Sequence, residues 1–354
     1  MAEVQAPEYH VELARLPEQA GAIIELWSQA LRHPERRPLK LDWFYMRHPS
    51  GQPRLLLLHH RGRVVGVTGL GSRPFSWHGR ELDAALMGDF LVDSHHRTLF
   101  PALTLQRAAL EQGLARHGLL YGFPNTKSLP VVRRAGYQVL RGMERYARAL
   151  RSEAYLPPAW PRAVRRVLGL VADWTLSLRH AAGLRRRGRA LQAAWLEGPD
   201  ERFDSLWARA RQALGDCVVG RRDLSFLRWR FEACAWHRTQ FLVLVDARSQ
   251  ALAGYAACEV EGSAMHVRDL LVERPSAELA AQLLRLAARQ ARAQGLRSLS
   301  MQCAGPPWLL AGLRMAGLRL READAQPMIL ALAPDTPAPL AQACWYLTDA
   351  DSDE

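Results

Sequence analysis

The chain has 354 residues, 49% of them hydrophobic and 23% charged, and a formal net charge of +12. That balance belongs to a globular protein long enough for two cores. No apolar run approaches a membrane span, and the N-terminal residues lack the basic and apolar regions of a signal peptide. The charge invites a nucleic-acid partner. However, lysine occurs only at Lys40 and Lys127, arginine supplies the other basic residues, and Ala and Leu are abundant. A GC-rich genome produces the same composition, so nucleic acid is set aside as a partner. Five cysteines (Cys217, Cys234, Cys258, Cys303 and Cys344) are scattered singly without a CxxC pair. They point to a reducing cytoplasm, no disulfide framework and no structural zinc.

Residues 9–16 alternate as a first strand, and residues 17–31 place Ala20, Ile23, Ile24, Leu26 and Trp27 on one face of a helix. A basic, proline-containing loop over 33–38 leads to a short aromatic helix at Leu41–Met46. Residues 54–59 and 63–70 then face each other across His60, Arg61 and Gly62 as a hairpin. A second hairpin turns at residues 77–80. Residues 82–92 (LDAALMGDFLV) form a mostly apolar run of strand length. After a polar break from Asp93 to Thr98, Pro101 fits the first turn of a helix, which continues through Leu103, Leu105, Ala108, Leu110 and Leu114. Gly118 ends it. Leu119–Gly122 is a short buried strand, Pro124 and Asn125 open another helix, and Gly136 with Tyr137 starts the next strand. This parallel β–α–β crossover belongs to an α/β or α+β sheet.

Much of this recurs in the second half. Trp43 and Gly66 match Trp229 and Gly254, and residues 89–92 match residues 269–272. The helix over 277–294 stops at Gly295 as its counterpart stops at Gly118. Residues 314–318 echo residues 133–137. Several correspondences in one order argue for duplication.

The order of elements resembles the GNAT superfamily of N-acyltransferases. In that family a loop of pattern Arg/Gln-x-x-Gly-x-Gly/Ala holds the pyrophosphate of CoA at a helix N-terminus, where unpaired amides and the helix dipole favour anions. The pattern falls on residues 97–102, with Arg97 and Ala102 matching and Phe100 in place of the first glycine. A downstream signature falls on Asn125 to Ser128 and on Gly136-Tyr137, with Val132 where many members have a catalytic tyrosine. The resemblance implies an α+β protein with two tandem GNAT-like domains. Each would be a mixed, mostly antiparallel sheet flanked by helices, the two joined by a helical linker. The expected division is a GNAT domain over 1–150, a basic helical linker over 151–200, a degenerate second domain over 201–335 and a C-terminal tail over 336–354, acidic and mobile over 348–354. The second copy has Glu273, Pro275 and Glu278 and no glycine in its loop, and these acids would repel a pyrophosphate.

The resemblance further implies an acyl-CoA co-substrate (acetyl-CoA foremost), an amine acceptor and no metal. Leu91, Val92, Arg97, Thr98, Leu99, Phe100, Ala102 and Asn125 are the expected cofactor-binding residues. Asp89 is the expected general base, and Tyr121 or Ser128 the acid; His95 and His96 are further candidates, histidine being a common proton-transfer residue. A block from Gly122 to Asn125, with residues 227–231, resembles a narrower group encoded with bacterial polysaccharide-export systems, which implies a sugar amine. Two rival expectations are a catalytically degenerate binding or scaffold protein and an aminoacyl transferase of the FemAB kind. The arginine-rich residues 161–190 are expected to pack between the domains, or to touch a membrane surface or an anionic carrier.

Overall fold

The computed structural model describes residues 9–30, 33–51, 53–151, 191–236 and 238–353. The first copy comprises β1 (Tyr9–Leu13), α1 (Ala20–Ala30), the aromatic turn Leu41–Met46, β2 (Arg54–His60), β3 (Arg63–Ser72), the small hairpin β4 (Phe75–Trp77) and β5 (Arg80–Leu82), β6 (Ala84–Val92), α2 (Leu99–Leu114), β7 (Leu119–Gly122), α3 (Leu129–Ala135) and β8 (Gln138–Ala149). The second repeats the plan with β9 (Leu191–Leu196), α4 (Arg202–Ala213), β10 (Cys217–Gly220), the turn Arg228–Glu232, β11 (Thr239–Asp246), β12 (Leu252–Glu261), β13 (Ala264–Val272), α5 (Ala277–Ala293), β14 (Ser298–Ala304), α6 (Pro307–Met315) and β15 (Arg319–Leu332). A last strand, β16 (Cys344–Thr348), follows.

The main sheet runs in the order β1-β2-β3-β6-β7-β15-β8-β14-β13-β12-β11-β9. Its pairs are antiparallel except β6 with β7 and β13 with β14. The fold is therefore α+β and duplicated. The copies are not closed on themselves, however. Strand β7 pairs with β15 of the second copy, and β14 pairs with β8 of the first. Each half borrows the other's last strand to cover an edge that would otherwise expose unpaired backbone groups.

One face of the first sheet is covered by α2 and α3, whose Ala102, Leu105, Ala109, Val132 and Ala135 pack on Leu56, Leu58, Val65 and Leu120. The opposite face merges with the second copy in one continuous core. The two aromatic turns meet there. Trp43 and Trp229 stack with ring centroids 5.0 Å apart, and each indole N–H donates to the other's main-chain carbonyl, at 2.7 and 3.1 Å. Tyr45 lies so close over β3 that a Cβ at Gly69 would stand 1.9 Å from its hydroxyl; only glycine fits.

Two boundaries differ from the expectation. Residues 191–196, assigned to a helical linker, form β9, which pairs with β11 because their apolar residues complete the second sheet. The acidic C-terminal stretch is not a mobile tail. Strand β16 lies parallel to β10 and antiparallel to β14, and it leads into the buried turn Asp349–Asp351. The basic run within 161–190 lies outside the described residues.

Exchanged strands make the halves interdependent. Urea denaturation followed by tryptophan fluorescence and far-UV circular dichroism should show one coincident transition, and residues 1–150 expressed alone should not fold. Trp229→Ala should cost about 3–5 kcal/mol. His48 packs on Trp229 with centroids 4.2 Å apart; burial, then the Arg73 charge, push its pKa down to about 3. A base whose pKa is depressed by folding destabilises the fold as pH drops below its unfolded value, because the unfolded chain then binds the proton more readily. Stability should fall by about 2 kcal/mol between pH 7.5 and 5 from this group. His48→Phe should remove that part of the slope in denaturant titrations at the two pH values.

Candidate active site

Strands β6 and β7 are hydrogen-bonded only from Ala84 opposite Leu119 to Met87 opposite Gly122. Beyond that point β6 continues from Gly88 to Val92 paired with β3 alone. The parallel pair thus opens into a splay whose β6 side presents backbone groups without a strand partner. At its start the chain bulges, Asp89 and Phe90 together facing Thr68. Asp89 sits at φ 50°, a left-handed conformation that costs a non-glycine residue about 1 kcal/mol. Its carboxylate offsets that strain by accepting from Lys40 Nζ and from the Tyr45 hydroxyl, both at 2.7 Å. The second copy opens in the same way after Val267 and Met301, with a bulge at Arg268. There Asp269 accepts from Arg222 Nε at 3.0 Å, Tyr255 at 2.5 Å and Thr348 at 2.7 Å.

The C-terminal residues run between the two splays. Asp349 meets Arg268 Nη1 at 3.2 Å at the second bulge. Asp351 accepts from Arg73 at 2.6 Å and from Arg222 at 2.7 Å. Asp353 reaches the first bulge: it lies 3.4 Å from Lys40 Nζ, and a Cβ at Gly88 would be 2.6 Å from its Oδ2. Burial would raise the carboxyl pKa of Asp351, but Arg222 and Arg73 outweigh it and hold that group below the usual range. Burial is likewise outweighed at Asp353 by Lys40 and by the N–H groups of Asp353 and Asp89.

At the mouth of the first splay, α2 begins at Leu99 behind Thr98, whose side chain makes no capping bond. Arg97 turns back to donate from Nε to the Val92 carbonyl at 3.0 Å. Phe100 is 67% exposed and rests edge-on against Tyr9, 6.1 Å between centroids; its ring leans away over β1. In the second copy, Ser276 caps its own helix by accepting from the Leu279 amide at 3.2 Å, and Glu278 stands in the first turn. The two helix starts are chemically opposite: one keeps its amide donors and dipole uncapped by a side chain, the other fills them itself.

Of the expected catalytic residues, the fold brings Asp89 and Tyr121 to the same acidic segment, since the buried Tyr121 hydroxyl donates to the Asp351 carbonyl at 2.8 Å. Burial raises both the Tyr45 and Tyr121 phenols well above their ordinary pKa. Ser128 is elsewhere, on an exposed turn, where its hydroxyl is bonded to Asn125. Asn125 accepts from the amides of Lys127 and Ser128, both at 3.0 Å, a local turn cap. Leu91 and Val92 line the splay strand. His96 Nδ1 lies 2.9 Å from the Tyr9 hydroxyl, and His95 is bonded through its amide to Asp93. Sequence reasoning passed over Lys40, Tyr45, Asp351 and Asp353. Lys40 carried a readable signal, as one of two lysines in an arginine-rich chain; the carboxylates carried none, because their partners are far away in sequence. Among the described residues, no group of three or more His, Cys, Asp or Glu is placed to hold a metal. A groove of about 900 Å³, lined in part by Leu13, Arg54 and Arg116, lies at the other end of the first sheet.

Asp351→Asn should leave Arg222 with Asp269 and remove the carboxylate that pairs with Arg73, and cost about 3–5 kcal/mol, read as a shift in denaturation midpoint. Because folding lowers this carboxyl pKa, its stabilisation is present above the unfolded value near 3.8 and is lost as pH falls below it.

No family model and no curated protein matches the sequence. Solved structures do match in fold. A GCN5-related N-acetyltransferase from Anabaena variabilis superposes with a TM-score of 0.61 at 13% identity, over 91% of this chain and 73% of that one. A tandem GNAT protein from the clavulanic acid biosynthesis pathway gives 0.56 at 16% identity, over 93% and 100%. Saccharomyces cerevisiae N-myristoyltransferase with bound myristoyl-CoA gives 0.56 at 8% identity, over 99% and 91%. With the paired splays, bulges and crossovers described above, these similarities show that the chain has the GNAT fold, built twice in tandem.

Proposed function

We propose that this protein is an acyl-CoA-dependent N-acyltransferase whose first copy carries the reaction, with acetyl-CoA as donor and an amine as acceptor. The observation that carries this reading is the splay of β6 from β7 directly before a helix start left uncapped, in the first copy alone. The amides of Leu99, Phe100 and Ala102 would receive the diphosphate, with Arg97 and Thr98 beside them and Asn125 ordering the next turn. Backbone N–H groups at Leu91 and Val92 would polarise the thioester carbonyl. The amine attacks that carbonyl, the C–N bond forms, the C–S bond breaks, and the thiolate takes a proton. Asp89 is the proposed base. Lys40 and Tyr45 each donate to one of its oxygens, so one of these contacts must open for it to accept the amine's proton. Tyr121 and Ser128 are the proposed acids; of the two, Tyr121 is the one gathered with Asp89 around the acidic segment. The resemblance to polysaccharide-linked proteins favours an amino sugar as acceptor and a cytoplasmic setting.

A second reading rests on Asp353 lying over Gly88 and on the Tyr121 hydroxyl being held by Asp351: the segment closes the first splay, and the tandem serves as a binding or scaffold protein. Calorimetric titration with acetyl-CoA separates the readings. The natural protein should bind at micromolar concentration, and Phe100→Gly should change affinity by less than tenfold because the ring leans away. Binding by the glycine variant alone, or by neither protein, would contradict the enzyme reading. Activity sensitive to RNase would instead support an aminoacyl-tRNA donor.

A further inference from the structure

Cys217 and Cys344 are 127 residues apart in sequence and face each other across β10 and β16 in direct register, with Sγ atoms 3.4 Å apart. Adjacent-strand neighbours at this register fall within the Cα separations that a disulfide spans. Both are free thiols, Cys217 buried and Cys344 partly open to solvent. We propose that Cys217 and Cys344 form a thiol–disulfide exchange site that takes low-molecular-weight disulfides, with Cys344 as the attacking thiol and Cys217 as the resolving one.

Access assigns the roles, because Cys344 is the less buried of the two and the one an incoming disulfide can reach. The hydrogen bond from Cys217 reinforces this, pulling the Cys344 pKa down to about 7 while the Cys217 thiol is pushed up. In the first step the Cys344 thiolate attacks one sulfur of the small disulfide, forming a mixed disulfide and expelling one small thiolate. Cys217 then gives up its proton, its thiolate attacks the Cys344 sulfur, and the second small thiol leaves. The protein dithiol loses two electrons and the small disulfide gains them, so the only co-reactant is that disulfide.

The site's position gives the modification a consequence. Strand β16 runs into Asp349, Asp351 and Asp353, which occupy the two bulges and the centre between them. A bond from β10 to the first residue of β16 tethers that segment covalently to the second copy. It would slow every opening in which the segment leaves the first splay.

The test uses the full-length reduced protein incubated with glutathione disulfide, then alkylated and measured by intact mass and peptide mapping. Of the five thiols, the two that pair should resist alkylation, and the linked peptides should carry Cys217 and Cys344. Cys217→Ser should accumulate a glutathione adduct on Cys344 that is not resolved, and Cys344→Ser should give no disulfide. Hydrogen exchange of residues 346–353 should slow after oxidation of the natural protein and be unchanged in Cys217→Ser. Alkylation of all five thiols after treatment, a disulfide between another pair, or no adduct on Cys344 in Cys217→Ser would overturn the proposal. Each readout is independent of acyltransfer.

Discussion

The carboxylate of Asp351, shared between Arg73 and Arg222, joins a side chain from β3's end, one from the second copy and one from the C-terminus. All three are essentially excluded from water. Burying such charges costs several kcal/mol each before pairing, and a set like this holds only when every partner is in place. The contact therefore acts as a condition on assembly. Arg222 already meets Asp269 within the second copy, but Arg73 finds its carboxylate only when both copies are docked and β16 is laid beside β10. The exchanged strands β8 and β15 and the reciprocal Trp43–Trp229 bonds impose the same condition through backbone pairing and apolar burial.

Duplication has left two splays of one plan and different chemistry. Both have a bulge, an aspartate at the same level and an aromatic turn nearby. In the second copy Asp269 is locked by Arg222, Tyr255 and Thr348, and the helix that follows caps itself. In the first, Asp89 is held by a lysine, whose compact ammonium is easier to displace than a guanidinium fork. The next helix there begins behind Thr98, whose side chain makes no capping bond. One copy fills its splay with buried ion pairs and its own helix cap, and the other leaves a helix start without a side-chain cap beside the unpaired edge of β6.

The fold was largely legible in the sequence because its signals are local and periodic. The apolar run before Asp93, the glycines at 66 and 254, and the breaks at Gly118 and Gly295 each mark an element that the structure contains. The strand exchange was not legible: β7 can pair with β8 or with β15 by the same alternation, and only the packing of two copies decides between them. The acidic C-terminus misled for a related reason. A run of Asp and Ser reads as solvated chain unless the buried cations it meets are known, and Arg73 and Arg222 are 278 and 129 residues away from Asp351. For the site, residues 97–102 were placed at a helix start as expected, whereas Lys40, Tyr45 and the C-terminal carboxylates entered only through tertiary contact. Cys217 and Cys344 likewise looked solitary until β10 and β16 were paired.

The central claim is that the first splay, and not the second, receives acyl-CoA. Amide hydrogen exchange of the full-length protein with and without saturating acetyl-CoA tests it most directly. The account expects slowed exchange at residues 89–92 and 98–103, with residues 269–272 and 276–280 unchanged. Slowed exchange at the second copy alone, or none at the first, would contradict it.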